Sequence, residues 1–482
     1  RGRLVTSAER EADIARRKEE REAEKSAIAE LRRLKRSRKI TDYVAWAERL
    51  REGGSFELAQ RILREIVDKA SDEETAEARR LLEDPLLAVT TLADSGPSSN
   101  RVDFFFLGEG YQVKDDQQEA FLNSARACMK LFLNSEPYKE YQSYLSFHAA
   151  QLGSRDMGVD LYERGVERDT ALDGRVEWQA FTVNNGKVME ILDRHGEAGA
   201  DHLAIVIGND YADVATGGGG VSCLSKAALS AVSHEVGHSL GGLRDEYDNP
   251  AGTNPNRKIV KKRRKDVPTK PRPPNLMEGS DRDDVLAHVI WRNWIDAGTE
   301  KWWNGSKVSI FEGGGYSPFN VWRPQASCMM RTSGSRFCVV CMEVMVTRIY
   351  RRVRPIDRVE PDEERLSLEE GGQLLIKVWP MKPETHYLDA TWTLLDLGSQ
   401  LPKEPTGRTA VAKKKQEGSL YKRVFRTMDA EGRVLECAQL RAKDLHLGFY
   451  RLRLRLHDPT PWVLRDDGGL LTQTRDWMIE IR

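Results

Sequence analysis

The sequence carries no net charge: 75 Lys and Arg balance 75 Asp and Glu. No whole-chain field therefore draws it to nucleic acid or to an anionic membrane, and no nucleic-acid partner is expected. It has no apolar run of about 18 residues, so no transmembrane segment is expected either. Cysteine is scarce, six among 482 residues, which excludes a scaffold built mainly from disulfides in a chain of this length. The helical hairpin read around Gly53 has no second copy at a fixed period, which argues against a solenoid array. Residue 1 is Arg rather than Met, and a trimmed or processed chain is the expectation.

What the sequence does contain is a globular composition, 39% hydrophobic and 31% charged, with 11 Trp and 13 Phe to anchor a core. The length points to about two to four domains, and the texture changes at two places. Residues 1–85 are rich in Glu, Arg, Ala and Leu, a composition that favours helix. Val44, Trp46, Ala47 and Leu50 share one face, and Leu58, Ile62, Leu63, Ile66 and Val67 another after Gly53-Gly54, as in one tetratricopeptide-like hairpin. The dense alternating charge before about residue 38 reads as a solvated lead-in. From residue 86 to 355, apolar runs at 101–107, 144–149 and 202–207 alternate with helical stretches, which predicts an α/β layer with a mostly parallel sheet. The basic, proline-bearing stretch 257–273 reads as a surface loop. Residues 356–482 break into short alternating segments separated by turns, the pattern of an antiparallel β-sandwich. The fold class expected is thus multidomain α/β.

The chemistry concentrates at Ser233-His234-Glu235-Val236-Gly237-His238. Residues four apart share a helix face, so His234 and His238 can turn two imidazoles toward one metal ion. Glu235, one position on, can take a proton from water and deliver it to a leaving amine. Helix here is supported by Ala227, Leu229, Val232, Val236 and Leu240, with Ser222 or Ser225 as cap and Gly241-Gly242 as stop. A catalytic zinc also needs a third protein ligand. The long metzincin motif places Gly three residues after the second His and a third His three further on. Gly241 fits, but the last position is Arg244. Asp245 is the first choice for the third ligand and Glu246 its rival. Gly217 to Gly220 precede this helix as an edge strand or flexible lip, with Gly218, Gly219 and Gly220 as candidate substrate-binding residues. Tyr316 and Tyr247 are candidate donors to an oxyanion. His148, His195, His202 and His288 read as ordinary hydrogen-bonded or surface histidines, and Trp291, Trp294, Trp302 and Trp303 as core or cleft wall.

The run His234 to Tyr247, His-Glu-Val-Gly-His-Ser-Leu-Gly-Gly-Leu-Arg-Asp-Glu-Tyr, resembles the signature of the IgA-peptidase family of metallopeptidases. So do Phe106-Leu-Gly-Glu-Gly-Tyr111, Phe311-Glu-Gly-Gly-Gly-Tyr316, Arg323-Pro324, Ser327-Cys-Met-Met-Arg331 and Phe337-Cys-Val-Val-Cys341. The likeness spans about residues 100–352 and leaves out residues 1–85 and the β-rich tail. It implies a metzincin-like zinc-peptidase fold, an aspartate ligand at Asp245, and a methionine turn beneath the metal at Met329 or Met330. Cys338-x-x-Cys341 alone is a weak zinc or redox motif, and a disulfide from Cys328 to Cys338 or Cys341, pinning that turn, is the preferred expectation.

These readings lead to a zinc-dependent endopeptidase acting on protein or peptide substrates, with Zn2+ as cofactor, secreted or periplasmic. Residues 356–482 are a candidate for cell-surface or glycan contact. Two alternatives stand beside it: a zinc-containing binding or scaffold protein without turnover, and a zinc hydrolase of non-peptide amides. The retained Glu235 argues against the first, because a purely structural zinc has no use for that carboxylate.

Overall fold

The structure is a computed structural model, and it describes residues 40–68, 72–195, 202–248, 262–298, 307–332, 334–399 and 422–482. The charged lead-in, the first part of the basic stretch, and Trp302 and Trp303 lie outside the described residues.

Three helices come first: α1 (Ile40–Glu52), α2 (Phe56–Val67) and α3 (Asp72–Glu83). Their apolar stripes close on one another through Val44, Trp46, Ala47, Ala59, Ile62, Leu63, Ala78 and Leu81. Gly54 makes the reversal between α1 and α2 at a φ of 78°, which side chains resist. The first turn of α2 is capped from a distant element: Asp115 Oδ1 accepts from the backbone N–H of Phe56 at 2.8 Å and of Glu57 at 3.1 Å. That carboxylate satisfies donors a helix start leaves unpaired.

A six-stranded sheet follows, built from β1 (Leu86–Ala93), β2 (Val102–Glu109), β3 (Leu145–Leu152), β4 (Leu203–Gly208), β5 (Ala215–Gly218) and β6 (Val221–Ser225) in the order β1-β3-β2-β4-β6-β5. The three central pairings are parallel; β1 and β5 run antiparallel along the two edges. Strand β2 is buried throughout. Its two-residue period sends Val102, Phe104 and Phe106 into one core and Phe105 and Leu107 into the other. A strand covered on both faces must read as a continuous apolar run, and residues 101–107 did. Strand β1, Leu-Leu-Ala-Val-Thr-Thr-Leu-Ala, escaped the sequence reading because half of it faces outward and its composition is not distinctive. Helix α4 (Asp115–Leu133) packs against β3 and β4, and helix α5 (Asn185–His195) adds Val188, Ile191 and Leu192 to the second core. Within the basic stretch, Lys270–Arg272 pairs with Leu276–Glu278, so that part is strand rather than loop.

Beyond residue 355 the described chain forms two four-stranded sheets. Their inner residues, among them Ile376, Val378, Ala438 and Leu440 from one and Leu452, Leu454, Trp477 and Ile479 from the other, form a single cluster. The pair is fastened to the preceding layer by charge. Arg101 and Asp357 meet at 2.6 Å. Deeper, Asp458 accepts the hydroxyls of Tyr141 and Tyr350 and bonds His386 Nε2 at 2.7 Å, while His386 Nδ1 meets Glu140 Oε1 at 2.9 Å. Two ring nitrogens facing two carboxylates need two N–H donors, so the ring is satisfied only as imidazolium.

The His386 pKa is accordingly raised above its ordinary 6.5, chiefly by the bond to Asp458, with burial opposing. For Asp458, burial pushes upward, but the His386 and tyrosine bonds win and hold it below 3.8. Stabilisation from His386 is complete below about pH 6.5 and is lost as pH rises through the raised value; that from Asp458 is lost only as pH falls through its depressed value. Thermal unfolding between about pH 6 and pH 9 should therefore show a falling midpoint in the parent and a flatter profile in His386→Gln. Superimposable profiles would refute the assignment.

Candidate metal centre

The motif sits where the sheet hands over to a helix. After β6 the chain makes one short turn, Leu229–Ala231, and enters α6 (Val232–Ser239). The helix starts later than expected. Ser222 and Ser225 do not cap it; both lie in β6, because the apolar run 221–225 pairs in parallel with β4. The residue at the cap position is Ala231, which contributes no side-chain bond. The end behaves as anticipated: Gly242 N–H returns to the His238 carbonyl and Leu243 N–H to that of Gly237, both at 3.0 Å, with Gly242 at a φ of 65°. This reversal carries Asp245 back over the helix face that holds the histidines.

Three donor atoms converge there. His234 Nε2 and His238 Nε2 are 3.2 Å apart, and Asp245 Oδ1 lies 3.2 Å from the first and 3.1 Å from the second. Ligand bonds of about 2.0–2.1 Å in tetrahedral geometry require donors about 3.4 Å apart, so the triangle is sized for one such ion. The rings are aimed by their other nitrogens: His234 Nδ1 bonds the Met329 carbonyl at 2.9 Å, and His238 Nδ1 the Leu243 carbonyl at 2.7 Å. A carbonyl can only accept, so each Nδ1 is the donor and each Nε2 is left to bind. Burial alone would depress the His234 pKa, yet the Asp245 bond and the Glu235 charge bring it up to about 9. The trio strongly favours a cation, and a proton or a metal competes for the same place. Glu235 offers an oxygen within 4.8 Å of ligand atoms of both imidazoles. Burial raises its pKa, with the two histidines opposing, which moves it toward the range where a base works at neutral pH.

The supporting shell explains several residues the sequence reading left without a role or cast differently. Tyr316 stands at a φ of 64° in the tip of a hairpin formed by Phe311–Gly314 and Ser317–Arg323. Its hydroxyl donates to Asp245 Oδ2 and meets the Tyr247 hydroxyl at 2.9 Å. Both tyrosines thus face the aspartate. Burial and the Asp245 charge keep the Tyr247 pKa far above its ordinary value, so it remains a donor. The hairpin tip also clamps the ligand loop through main chain, Gly315 N–H to the Asp245 carbonyl at 2.8 Å and Tyr316 N–H to that of Tyr247 at 3.0 Å. Asn275 was not singled out and has no motif to reveal it. It is fully buried and bonds both backbone groups of Arg244 and the Glu246 carboxylate. Glu109, inside the Phe106–Tyr111 stretch, anchors a loop: its carboxylate accepts the N–H groups of Leu172 and Gly174.

The two methionines divide the labour. Met329 supplies the carbonyl that orients His234. Met330 lies fully buried beneath the helix; a Cβ on Gly237 would come within 2.8 Å of its sulfur. The glycine lip is split as well. Gly217 and Gly218 close β5 at the sheet edge, whereas Gly219 and Gly220 form the turn to β6 with φ of 58° and 84°. A turn of that handedness cannot extend the strand, so Gly219 and Gly220 leave the cleft lining and Gly218 stays in it. Gly217 is required by proximity, since a Cβ there would lie 2.3 Å from the Glu235 carbonyl oxygen. The expected disulfide does not form. All six cysteines are free, because Cys328, Cys338 and Cys341 converge as a trio around Glu246 rather than as a bonded pair. The rival ligand Glu246 consequently points away from the histidines, toward those sulfurs.

The donors open into a cleft of about 430 Å³ lined by Thr216, Gly217, Gly218, Glu235, Arg272 and Tyr316 among others. A larger cleft, about 860 Å³, lies against Gln60, Arg64, Pro85 and Arg194. It holds neither of the groups of potential metal-binding side chains found among the described residues, whereas the smaller cleft holds His234, Glu235 and His238.

A buried trio of donor atoms beside a second carboxylate in an open cleft is the arrangement expected of a metal-dependent hydrolase. Residues 90–300 match the model of the IgA Peptidase M64 family, so this part of the chain is similar to the IgA-peptidase family of metallopeptidases. The match contains His234 through Tyr247 and ends before the hairpin at 311–323 and the turn at 328–331. No curated protein matches the chain.

Two outcomes follow for the shell. Tyr316→Phe removes the donor to Asp245 and should weaken metal affinity by about 10–100-fold, measured by competition with a chromophoric chelator; unchanged affinity would show that the bond does not position Asp245. Gly217→Ala should cost about 1–3 kcal/mol by denaturant unfolding, because the strand and the helix must separate.

Proposed function

We propose that this chain is a zinc-dependent endopeptidase that cleaves extended segments of protein substrates. The observation that carries the reading is the convergence of His234, His238 and Asp245 within 3.2 Å of one another, next to the carboxylate of Glu235 and below a sheet edge. We read the arrangement of edge strand, motif helix and underlying methionine as metzincin-like.

Zinc is the ion that two imidazoles, a carboxylate and an open fourth position suit, and when bound it supplies Lewis acidity to water and to the scissile carbonyl. The remaining work belongs to the protein. Among the described residues, strand β5 has no neighbour on its outer side in the sheet order, so an extended peptide can add to it through main-chain hydrogen bonds. The glycines there keep side chains out of the way. Glu235, raised by burial, accepts a proton from water and returns it to the departing amine. Tyr316 and Asn275 keep the Asp245 loop in place while charge develops nearby.

The test is a diverse peptide library digested by the full chain and analysed by mass spectrometry, with zinc, with a chelator, and with Glu235→Gln. The parent should cleave, the chelated sample should not, and Glu235→Gln should lose about 10²–10⁴-fold in rate while retaining its zinc. Cleavage that survives chelation, or a Glu235→Gln variant as fast as the parent, would overturn the proposal.

A further inference from the structure

We propose that Cys328, Cys338, Cys341 and Glu246 form a second, structural zinc site, separate from the histidine centre. One ligand atom from each of the four lies within 4.8 Å of every other, and all four residues are buried. Cys341 Sγ is 3.2 Å and Cys338 Sγ 3.9 Å from Glu246 Oε1. In a tetrahedral zinc site with sulfur at about 2.3 Å and oxygen at about 2.0 Å, the sulfur–oxygen edge is about 3.5 Å. The two distances straddle that value.

The surroundings are those of a thiolate-rich centre. Cys338 occupies the cap position of α7 (Val339–Tyr350), where the helix start favours negative charge. The Cys338 N–H points at Cys328 Sγ at 3.3 Å, and the Cys341 N–H at Cys338 Sγ at 3.5 Å; N–H groups directed at sulfur are what thiolates accept. The spacing Cys338-x-x-Cys341 at a helix start lets two sulfurs share one ion. Glu246 is the strongest sign. Its side chain is fully buried, its Oε2 has no hydrogen-bond partner among the described residues, and its Oε1 meets the Asn275 amide and the thiols of Cys338 and Cys341. The nearby Arg331 donates instead to the Glu246 backbone carbonyl and to Asp248. Among the described residues no cationic side chain bonds this carboxylate, and its buried negative charge is costly unless a proton or a metal neutralises it. Binding forms three zinc–sulfur bonds and one zinc–oxygen bond, and the protons held by these donors leave to solvent. A zinc ion here would tie together the two segments that position the histidine centre, since Glu246 follows Asp245 and Cys328 precedes Met329.

Metal content of the full chain, purified under reducing conditions, tests this independently of any peptidase activity. Inductively coupled plasma and native mass spectrometry should find two zinc ions in the parent and one in His234→Ala/His238→Ala. Cobalt substitution of that double variant should give sulfur-to-cobalt charge-transfer absorption, lost on adding Cys341→Ser. Where the substituted chains fail to fold, the unsubstituted protein decides: two zinc ions with thiolate-to-cobalt absorption support the site. A single zinc without that absorption overturns it, as does an intact mass lacking two hydrogens, which marks a disulfide within the trio.

Discussion

Glu246 donates its backbone N–H to the Met330 carbonyl at 2.7 Å, and the geometry of the whole centre hangs on that bond. It joins two loops about 85 positions apart in sequence, one carrying Asp245 and the other carrying the carbonyl that aims His234. Neither loop belongs to a long helix or strand, so neither would hold its place by itself. The bond lies beneath α6, between the fully buried Met330 on one side and the buried Asn275 and Glu246 side chains on the other. Around it the site is assembled almost wholly from main-chain groups: the Met329 and Leu243 carbonyls orient the rings, and the hairpin tip at Gly315 and Tyr316 grips the aspartate loop.

That construction accounts for the electrostatics. Burying two imidazoles and two carboxylates in one place is unfavourable unless their charges are arranged to compensate. Asp245 is held far below the usual carboxylate range by the two histidines and Tyr316, although burial pushes the other way. Glu235 has no such anchoring and goes upward. Two acids ten residues apart are thereby pushed in opposite directions, the separation on which the proposed division into anionic ligand and general base rests.

Much of this was legible in the sequence where local periodicity decides the outcome. The i, i+4 spacing of His234 and His238 announces one helix face, the unbroken apolar run of 101–107 announces a strand covered on both sides, and the paired apolar stripes around Gly53 announce a hairpin. What could not be read is whatever depends on contacts distant in sequence. Ser222 and Ser225 look like helix caps until β4 claims them as strand partners. Tyr316 looks like a free donor until the hairpin brings it onto Asp245. Cys328 and either Cys338 or Cys341 look like a disulfide until Glu246, some 80 residues earlier, is found among them. Asn275 has no local signal at all, because its importance consists entirely in bridging Arg244 and Glu246.

The short outer strand has a consequence for how the molecule behaves in company. An unpaired sheet edge is a template on which other chains, including copies of the same protein, can stack into aggregates. Strand β5 is only four residues long, and it ends in the left-handed turn at Gly219 and Gly220. The ladder it offers is therefore too brief to propagate. A strand built this way can leave its edge of the central sheet receptive to a passing strand while offering little ladder on which copies could stack.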